Sequence, residues 1–313
     1  MSRVLQVSGL GMPFDASERN GAGLEGIDFA LETGQVLGVV GESGSGKTTL
    51  ARALAGLRPI GSGSIQVMGE DLSPSGLIPR HLRHQVQMVF QNPVASLDPR
   101  MTVLQSLEEP LKVHQPEMPG DQRRTRAGQV LDMVGLPATT LSGYPHQFSG
   151  GQCQRIAIAR SLMVQPSLLI CDEVVSALDV SVQAQVLNLL MSLQRELGLA
   201  MVFISHDLAV VRHISDRILV IYRGRLLERG PAGALCVHPA HPYTRDLLAA
   251  VPGAGPAQNP RPVAVAEALP GGCSYRHRCE LASPACREAA PGLADVAGDH
   301  QVACHHPLIN QAL

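Results

Sequence analysis

Residues 36–48 read VLGVVGESGSGKT, and this stretch decides the fold. Its first five residues form an apolar run with the length of a buried strand, and the Gly/Ser cluster that follows indicates a loop. Leu50, Ala51, Leu54 and Leu57 then recur at helical spacing, which predicts a helix over 48–57. Strand, glycine-rich loop and helix in this order are the setting in which G-x-x-x-x-G-K-[ST] binds phosphate.

The glycine-rich loop is a candidate phosphate site. Glycines allow backbone N–H groups to approach a phosphate closely, and a helix N-terminus adds partial positive charge. We expect Lys47, one of only two lysines in the chain, to reach the outer phosphates, and the Thr48 hydroxyl to ligate Mg²⁺. The predicted nucleotide-binding residues of the loop are Gly41, Ser43, Gly44, Ser45, Gly46, Lys47, Thr48 and Thr49.

A carboxylate pair follows a second apolar run, at residues 168–173, which read LLICDE. A Mg²⁺–nucleotide site of this class needs an acid at the end of a buried strand. Asp172 is predicted to hold Mg²⁺, and Glu173 to polarise the attacking water as general base.

The rest of the chain predicts an α/β fold with a largely parallel sheet. Further strand-length apolar runs occupy residues 167–171, 201–204 and 218–222, separated by amphipathic stretches. In the stretch 182–197, one helix face is formed by Val186, Leu189, Leu190 and Leu193. Residues 101–165 predict an inserted helical subdomain, interrupted by a Pro-rich polar stretch between Pro110 and Asp121.

Composition divides the chain and excludes some functions. Of 313 residues, 45% are apolar, which excludes a disordered protein, and a net charge of −2 with 3% aromatics argues against a nucleic-acid groove. After about residue 250, Pro, Gly and Ala dominate, so we predict a body over 1–250 and an extension over 251–313. Without a long apolar run or leader, we expect a chain that neither spans a membrane nor is exported.

Residues 148–152, FSGGQ, precede a helical pattern and present a serine hydroxyl and glycine amides at a helix N-terminus. With the phosphate loop, this resembles the signature motif of ATP-binding-cassette (ABC) ATPases. The resemblance implies a P-loop NTPase with a RecA-like core that hydrolyses ATP. It also implies that the signature caps the γ-phosphate held by an opposite subunit, through Ser149, Gly150, Gly151 and Gln152.

Other positions match the family in order. The resemblance implies that Gln91 contacts Mg²⁺ and the attacking water, that Asp179 lies in the loop crossing the dimer interface, and that His206 contacts the γ-phosphate. Glu173, His206 and Lys47 are thus the implied catalytic residues. Phe14 is the candidate for the aromatic residue that stacks on adenine.

Three positions depart from the family pattern. Phe148 stands where Leu is usual, Cys153 where a basic residue is usual, and Val174 where Pro follows the catalytic glutamate. None removes a group assigned to chemistry, so we still expect a competent ATPase.

Three stretches resemble one transporter group in particular: residues 172–185 (DEVVSALDVSVQAQ), 91–100 (QNPVASLDPR) and 241–248 (HPYTRDLL). They are similar to the ATPases of bacterial dipeptide/oligopeptide importers and of their nickel-importing relatives. The resemblance implies a peripheral protein at the cytoplasmic face of the inner membrane. Its implied partners are a second ATPase subunit (a paralogue or a copy), two transmembrane permease subunits and an extracytoplasmic solute-binding protein, with no nucleic acid.

Other functions remain open at this point. The same motifs fit a nickel or metallophore importer. A soluble, non-transport cassette protein would share the nucleotide core, but neither a coiled-coil insert nor basic arms occur between Lys47 and His206. A non-enzymatic redox or metal sensor would explain the cysteines and leave the phosphate loop unexplained.

Four of the seven cysteines lie in the extension: Cys273, Cys279, Cys286 and Cys304. Thiols gathered in a cytoplasmic protein suggest a soft-metal site, although the spacing C-x5-C-x6-C-x17-C matches no common zinc or ferredoxin pattern. The resemblance implies a [4Fe-4S] cluster, with zinc or free thiols as alternatives. We expect a bound metal to stabilise the extension, which is too rich in Pro and Gly to form its own core. Isolated thiols are expected at Cys153, Cys171 and Cys236.

Overall fold

A computed structural model describes residues 2–13, 23–72, 76–250 and 271–308. The strands of this part of the chain are β1 (Arg3–Met12), β2 (Leu24–Glu32), β3 (Val36–Val40), β4 (Ser62–Val67), β5 (Glu70–Asp71), β6 (Val86–Val89), β7 (Leu168–Asp172), β8 (Ala200–Ser205), β9 (Arg217–Tyr222), β10 (Arg225–Pro231), β11 (Ala294–Ala297) and β12 (His300–Val302). The helices are α1 (Lys47–Leu54), α2 (Pro93–Ser96), α3 (Val103–His114), α4 (Gly120–Met133), α5 (Gly150–Leu162), α6 (Val180–Leu197), α7 (Leu208–Ile214), α8 (Ala232–Val237), α9 (Pro242–Ala249) and α10 (Ala285–Glu288). Short 3₁₀ turns cover Arg80–Leu82, Ala138–Ser142 and Pro145–Gln147.

The predicted parallel sheet forms the centre of the fold. β3 pairs in parallel with β8 and β9, β8 with β7, and β7 with β6. β7 is buried along its whole length and alternates between two apolar clusters, Leu168 and Ile170 on one side and Leu169 and Cys171 on the other. A strand covered on both faces reads as a continuous apolar run, which is why the sequence pattern located it.

An antiparallel sheet adjoins this centre, and the sequence did not predict it. β1 pairs with β2 and β4, β4 pairs with β5, and β10 runs antiparallel to β9. β2 and β10 meet at one parallel pair, Glu25 with Arg225, so that the ladders are continuous. β1 alternates buried and exposed residues only in part, because bulges interrupt its register with both neighbours.

The helices expected between β6 and β7 are present, with one difference from prediction. Pro110 lies inside α3, which continues to His114, so the interruption before α4 is only five residues long. Outside this region, the helix after the phosphate loop ends at Leu54 and not at the predicted Leu57, which is exposed.

The apolar face of α6 is shifted from the predicted one. Val186, Leu190 and Leu193 are buried as expected, but Leu187 is the fourth fully buried position, and Leu189 is only partly buried. The helix itself, from Val180 to Leu197, begins two residues before the predicted stretch and packs against α5.

The extension is tied to the body by strand pairing. β11 and β12 form a hairpin, and β12 pairs antiparallel with β10 through Glu228–Val302 and Arg229–Gln301. The predicted boundary at residue 250 adjoins residues outside the described part, and stays a prediction. Among the described helices, none is both long and apolar enough to cross a bilayer.

Candidate nucleotide site

The carboxyl ends of four parallel strands meet at one edge of the sheet, in the spatial order β3, β8, β7, β6. Open parallel sheets bind ligands at this edge. The phosphate loop follows β3, His206 follows β8, Asp172 and Glu173 end β7, and Gln91 follows β6. Residues that are up to 165 positions apart in the sequence therefore face one site.

The phosphate loop has a backbone that only glycine adopts easily. Gly44 and Gly46 have φ of +77° and +107°, in the left-handed region. A Cβ atom on Gly41 would lie 2.1 Å from the carbonyl oxygen of Ile221, so no side chain fits there. Ser43 and Gly44 are exposed, while Ser45, Lys47 and Thr49 are buried.

Lys47 is folded back onto its own loop. Its Nζ donates to the carbonyl oxygens of Gly41 (2.7 Å) and Glu42 (2.9 Å). Burial lowers the pKa of Lys47, while Glu173, Asp172 and Glu42 act to raise it. The buried Ser45 Oγ has no hydrogen-bond partner among the described residues, an unmet polar group that a phosphate oxygen would satisfy.

Thr48 and Asp172 meet where the prediction places Mg²⁺. Thr48 Oγ1 donates to Asp172 Oδ1 at 3.3 Å. Burial, and next the charge of Glu173, raise the pKa of Asp172 to about 6. A hydroxyl and a carboxylate are oxygen ligands of the kind Mg²⁺ prefers, and a bound cation would relieve the crowding of two acids. The residues therefore fit Mg²⁺.

Glu173 is the point on which the other polar groups converge. Gln91 Nε2 donates to Glu173 Oε2 at 2.9 Å, and His206 Nδ1 lies 3.7 Å from the same oxygen. Glu173 has a φ of +49°, unusual for a residue with a side chain, and its N–H donates to the carbonyl of Ile204 on β8. A carboxylate held between an amide and an imidazole can accept a proton from water.

The signature residues lie on the surface. Ser149 caps α5 by accepting from the N–H of Gln152, whose side chain in turn accepts from the Ser149 N–H. Ser149, Gly150 and Gln152 are exposed. Gly151 faces α6 so closely that a Cβ would lie 2.5 Å from Val182 Cγ1. Ser149, Gly150 and Gln152 are thus accessible from solvent, and Gly151 packs closely against α6.

The loop before α6 is displayed in the same way. Asp179 precedes the first residue of α6, yet its side chain makes no capping hydrogen bond and is exposed. Val180 beside it is 83% exposed. This loop therefore presents a carboxylate and an apolar side chain at the surface.

The three departures from the family pattern are accommodated by packing. Cys153 is fully buried, with Sγ 3.4 Å from the carbonyl oxygen of Pro145, and burial raises its pKa. Phe148 packs against the subdomain core, and Val174 is buried behind Glu173. Phe14 lies outside the described residues.

The four cysteines of the extension lie near enough to one another for their charges to interact. Cys273 and Cys286 are buried, and the backbone N–H of Cys273 donates to the Cys286 carbonyl. Burial, and to a lesser extent the other three thiols, raise the pKa of Cys304 to about 11. Within the described residues, no three Cys, His, Asp or Glu side chains are arranged to hold a metal ion. The predicted iron–sulfur cluster and the zinc alternative are therefore not supported.

Sequence reasoning missed two residues that touch the phosphate loop. Tyr243 Oη accepts a hydrogen bond from the backbone N–H of Glu42 (2.8 Å), and Arg278 forms an ion pair with the Glu42 carboxylate (2.8 Å). In the sequence, Tyr243 lies in the stretch 241–248, which indicated the family but not a contact with the phosphate loop. Nothing in the sequence pointed to Arg278.

Comparison with protein families agrees with this geometry. Residues 24–176 match the family described as ABC transporter, and residues 227–286 match the family described as oligopeptide/dipeptide transporter, C-terminal region. The first match includes the phosphate loop, Gln91, Asp172 and Glu173, and the second includes Tyr243 and Arg278; His206 lies between the two.

Individual relatives cover nearly the whole chain. The chain is 46% identical to the oligopeptide transport ATP-binding protein OppF of Escherichia coli K12, over 90% of this chain and 86% of the relative. It is 48% identical to the di/tripeptide transport ATP-binding protein DppF of Pseudomonas aeruginosa, over 90% and 89%. Among solved structures, it resembles cbiO1 of Clostridium perfringens (TM-score 0.66, 27% identity, 76% and 92% covered). It also resembles the dimeric ATP-binding cassette MJ0796 bound to ADP and Pi (TM-score 0.64, 26% identity, 73% and 98% covered).

Proposed function

The chain belongs to the ATP-binding proteins of ABC transporters, in the oligopeptide/dipeptide group, and on that basis we propose that it hydrolyses ATP to drive the import of short peptides. The peptide assignment is supported by relatives at 46–48% identity that are named as oligopeptide and di/tripeptide transport ATP-binding proteins, and by the C-terminal family match. Selectivity for the solute belongs mainly to the other chains of the transporter. The residues of this chain account for the hydrolysis of ATP.

The observation that carries the proposal is the convergence of Gln91 and His206 on Glu173 beside the Thr48–Asp172 pair. On nucleotide binding, Lys47 exchanges the two loop carbonyls for phosphate oxygens, and Ser45 gains its missing partner. Thr48 and Asp172 would hold Mg²⁺, and the ion would supply positive charge to the phosphates. Glu173 accepts the proton of the attacking water, while Gln91 and His206 fix the position of its carboxylate.

A second cassette completes the site in this proposal. Four exposed polar or glycine residues lie at the starts of α5 and α6: Ser149, Gly150, Gln152 and Asp179. Val180 is an exposed apolar residue beside them. A serine hydroxyl and helix N-terminal amides suit a γ-phosphate. The similar cassette MJ0796 is described as dimeric with ADP and Pi. ATP held between two such subunits would make their association depend on nucleotide.

A membrane subunit is the proposed partner of the surface after β6. Phe90 and Val94 are exposed apolar residues on either side of Gln91. Phe90 also lines a groove of about 210 Å³ with Leu57 and Pro110. Movement of a helix bound in this groove would shift Gln91, and Gln91 is hydrogen-bonded to the Glu173 carboxylate. We place the protein at the cytoplasmic face of the cell membrane, bound to two permease subunits that receive solute from an extracytoplasmic binding protein.

The test of the ATPase is Glu173→Gln, which keeps the shape of the side chain and removes the base. We expect Mg-ATP binding and nucleotide-dependent association with the partner cassette to persist, while turnover falls about a hundredfold or more. Glu196→Gln, on the exposed face of α6, is the matched control and should leave turnover unchanged. Undiminished turnover in Glu173→Gln would show that another group is the base. Stimulation of the assembled transporter by short peptides, and not by nickel, tests the solute class.

An iron–sulfur cluster has no part in this mechanism and stays a prediction of the sequence. It is tested by metal analysis of full-length protein purified without oxygen. Brown protein with about four iron atoms per chain, lost in Cys304→Ser, would support the cluster. Colourless protein holding zinc, or no metal, would show that the prediction is wrong.

A further inference from the structure

Glu42 is an acidic residue inside the loop that must receive a polyanion. Its carboxylate acts on the neighbouring lysine, because the charge of Glu42 raises the pKa of Lys47. At this position an unpaired carboxylate would repel the phosphates of a nucleotide. The structure pairs it: Arg278 Nη1 lies 2.8 Å from both carboxylate oxygens of Glu42.

The pair is held in a defined place by the C-terminal segment. Arg278 lies over the ring of Tyr275, with Cζ 5.6 Å from the ring centroid. Its side chain is 19% exposed and that of Glu42 is 38% exposed, so solvent screens the pair less than a surface ion pair. Tyr275 packs in turn against Tyr222 and Tyr243, with ring centroids 5.3 and 5.2 Å away. The guanidinium therefore rests on a packed aromatic cluster.

The same cluster holds the backbone of the loop. Tyr243 is fully buried, and its Oη accepts from the N–H of Glu42, while Lys47 donates to the Glu42 carbonyl. The two peptide groups that flank Glu42 are thus each held by a side chain, one by Tyr243 and the other by Lys47. When Lys47 turns to a phosphate, the tyrosine contact remains.

We propose that Arg278 and Tyr243 are positioning residues of the nucleotide site: Arg278 cancels the charge of Glu42 so that a nucleotide is not repelled, and Tyr243 keeps the loop in its binding shape. The inference rests on the proposed function, because it concerns the affinity for the nucleotide that this ATPase binds. It gives the C-terminal extension a role in nucleotide affinity without contact with the reacting atoms.

The experiment measures Mg-ATP binding by calorimetry in full-length protein carrying Glu173→Gln, which prevents turnover. Adding Arg278→Ala should weaken binding about five- to tenfold, because an uncompensated carboxylate then faces the phosphates. Adding Glu42→Gln to Arg278→Ala should restore binding to within about twofold of the starting protein, since the repelling charge is gone. Arg278→Lys keeps the charge and should retain most of the affinity. Tyr243→Phe should weaken binding without being rescued by Glu42→Gln.

The matched control is Asp299→Ala, which removes a different ion pair between the extension and the body, with Arg217, away from the phosphate loop. It should leave Mg-ATP affinity unchanged. Unchanged affinity in Arg278→Ala, or a failure of Glu42→Gln to restore it, overturns the inference. If Arg278→Ala does not fold, Glu42→Gln alone decides, because it should bind at least as tightly as the starting protein, and weaker binding contradicts the role. Failure of the Glu173→Gln protein itself to bind Mg-ATP would count against the proposed function instead.

Discussion

The proposed general base, Glu173, has a backbone conformation that is unfavourable for a residue with a side chain. A φ of +49° costs a residue with a side chain about 1–3 kcal/mol. Three contacts hold it: its N–H donates to Ile204, and its carbonyl accepts from both the N–H and the hydroxyl of Ser176. The sequence motif predicted which carboxylate lies here, but not this conformation, because it is imposed by a neighbouring strand and by the turn that follows.

Residues that act on the site from a distance were not predictable for a related reason. Tyr243 and Arg278 are 201 and 236 positions away from Glu42 in the sequence. Arg278 carries no signal of its own in the sequence, and Tyr243 lies in the stretch 241–248, which marked the family without indicating a contact with the phosphate loop. The groups after the β-strands were predictable, because parallel strands place their carboxyl ends together whatever the distance along the chain.

His241 makes stability depend on pH. It is buried, its Nδ1 accepts from the Tyr243 N–H at the start of α9, and its Nε2 has no partner among the described residues. Burial lowers its pKa from 6.5 to about 4. His241 binds a proton more tightly in the unfolded chain than in the folded one. The stabilisation that the neutral imidazole gives the fold is therefore present above pH 6.5 and is lost as the pH falls toward 4. We expect the loss between pH 7 and pH 5 to be about 2 kcal/mol.

The measurement is urea unfolding at both pH values, compared with His241→Asn. Asparagine keeps an acceptor for the Tyr243 N–H and does not titrate, so the variant should lose about 2 kcal/mol less than the original protein over this interval. Comparing the two proteins cancels the contribution of every other titrating group. Equal pH dependence would show that His241 is not kept neutral by burial.

At the scale of elements, the sequence pattern predicted the buried parallel strands and missed the antiparallel ones. β7, β8 and β9 were predicted because strands buried on both faces read as unbroken apolar runs. β1, β2 and β4 were missed, since bulges and half-exposed faces break their alternation. One of the four predicted positions on α6 was wrong: Leu187 is buried and Leu189 only partly so, because helical periodicity is compatible with either leucine.

At the scale of the whole molecule, the extension and the body share one buried acid. Glu228 on β10 is fully buried. One carboxylate oxygen accepts from the Ala240 N–H (2.7 Å) and is paired with His300 on β12 (2.7 Å). The other accepts from the His241 N–H (2.9 Å) and from the Thr244 hydroxyl. A single side chain thus joins a sheet strand, the start of α9 and the C-terminal hairpin.

Glu228→Gln tests whether this junction stabilises the fold. An amide has one acceptor oxygen, so whichever way it turns, its NH₂ group faces a backbone N–H that loses its partner. We expect a loss of about 3 kcal/mol in the free energy of unfolding, measured in urea at pH 7. Glu25→Gln is the matched control, since Glu25 pairs with Arg225 on the same β10 but is 68% exposed, and it should cost less than about 1 kcal/mol. Equal losses in the two variants would mean that the buried carboxylate is no more important than a surface ion pair. A larger loss in Glu228→Gln, with the hairpin amides of β11 and β12 exchanging faster, would show that the extension is held to the body through this residue.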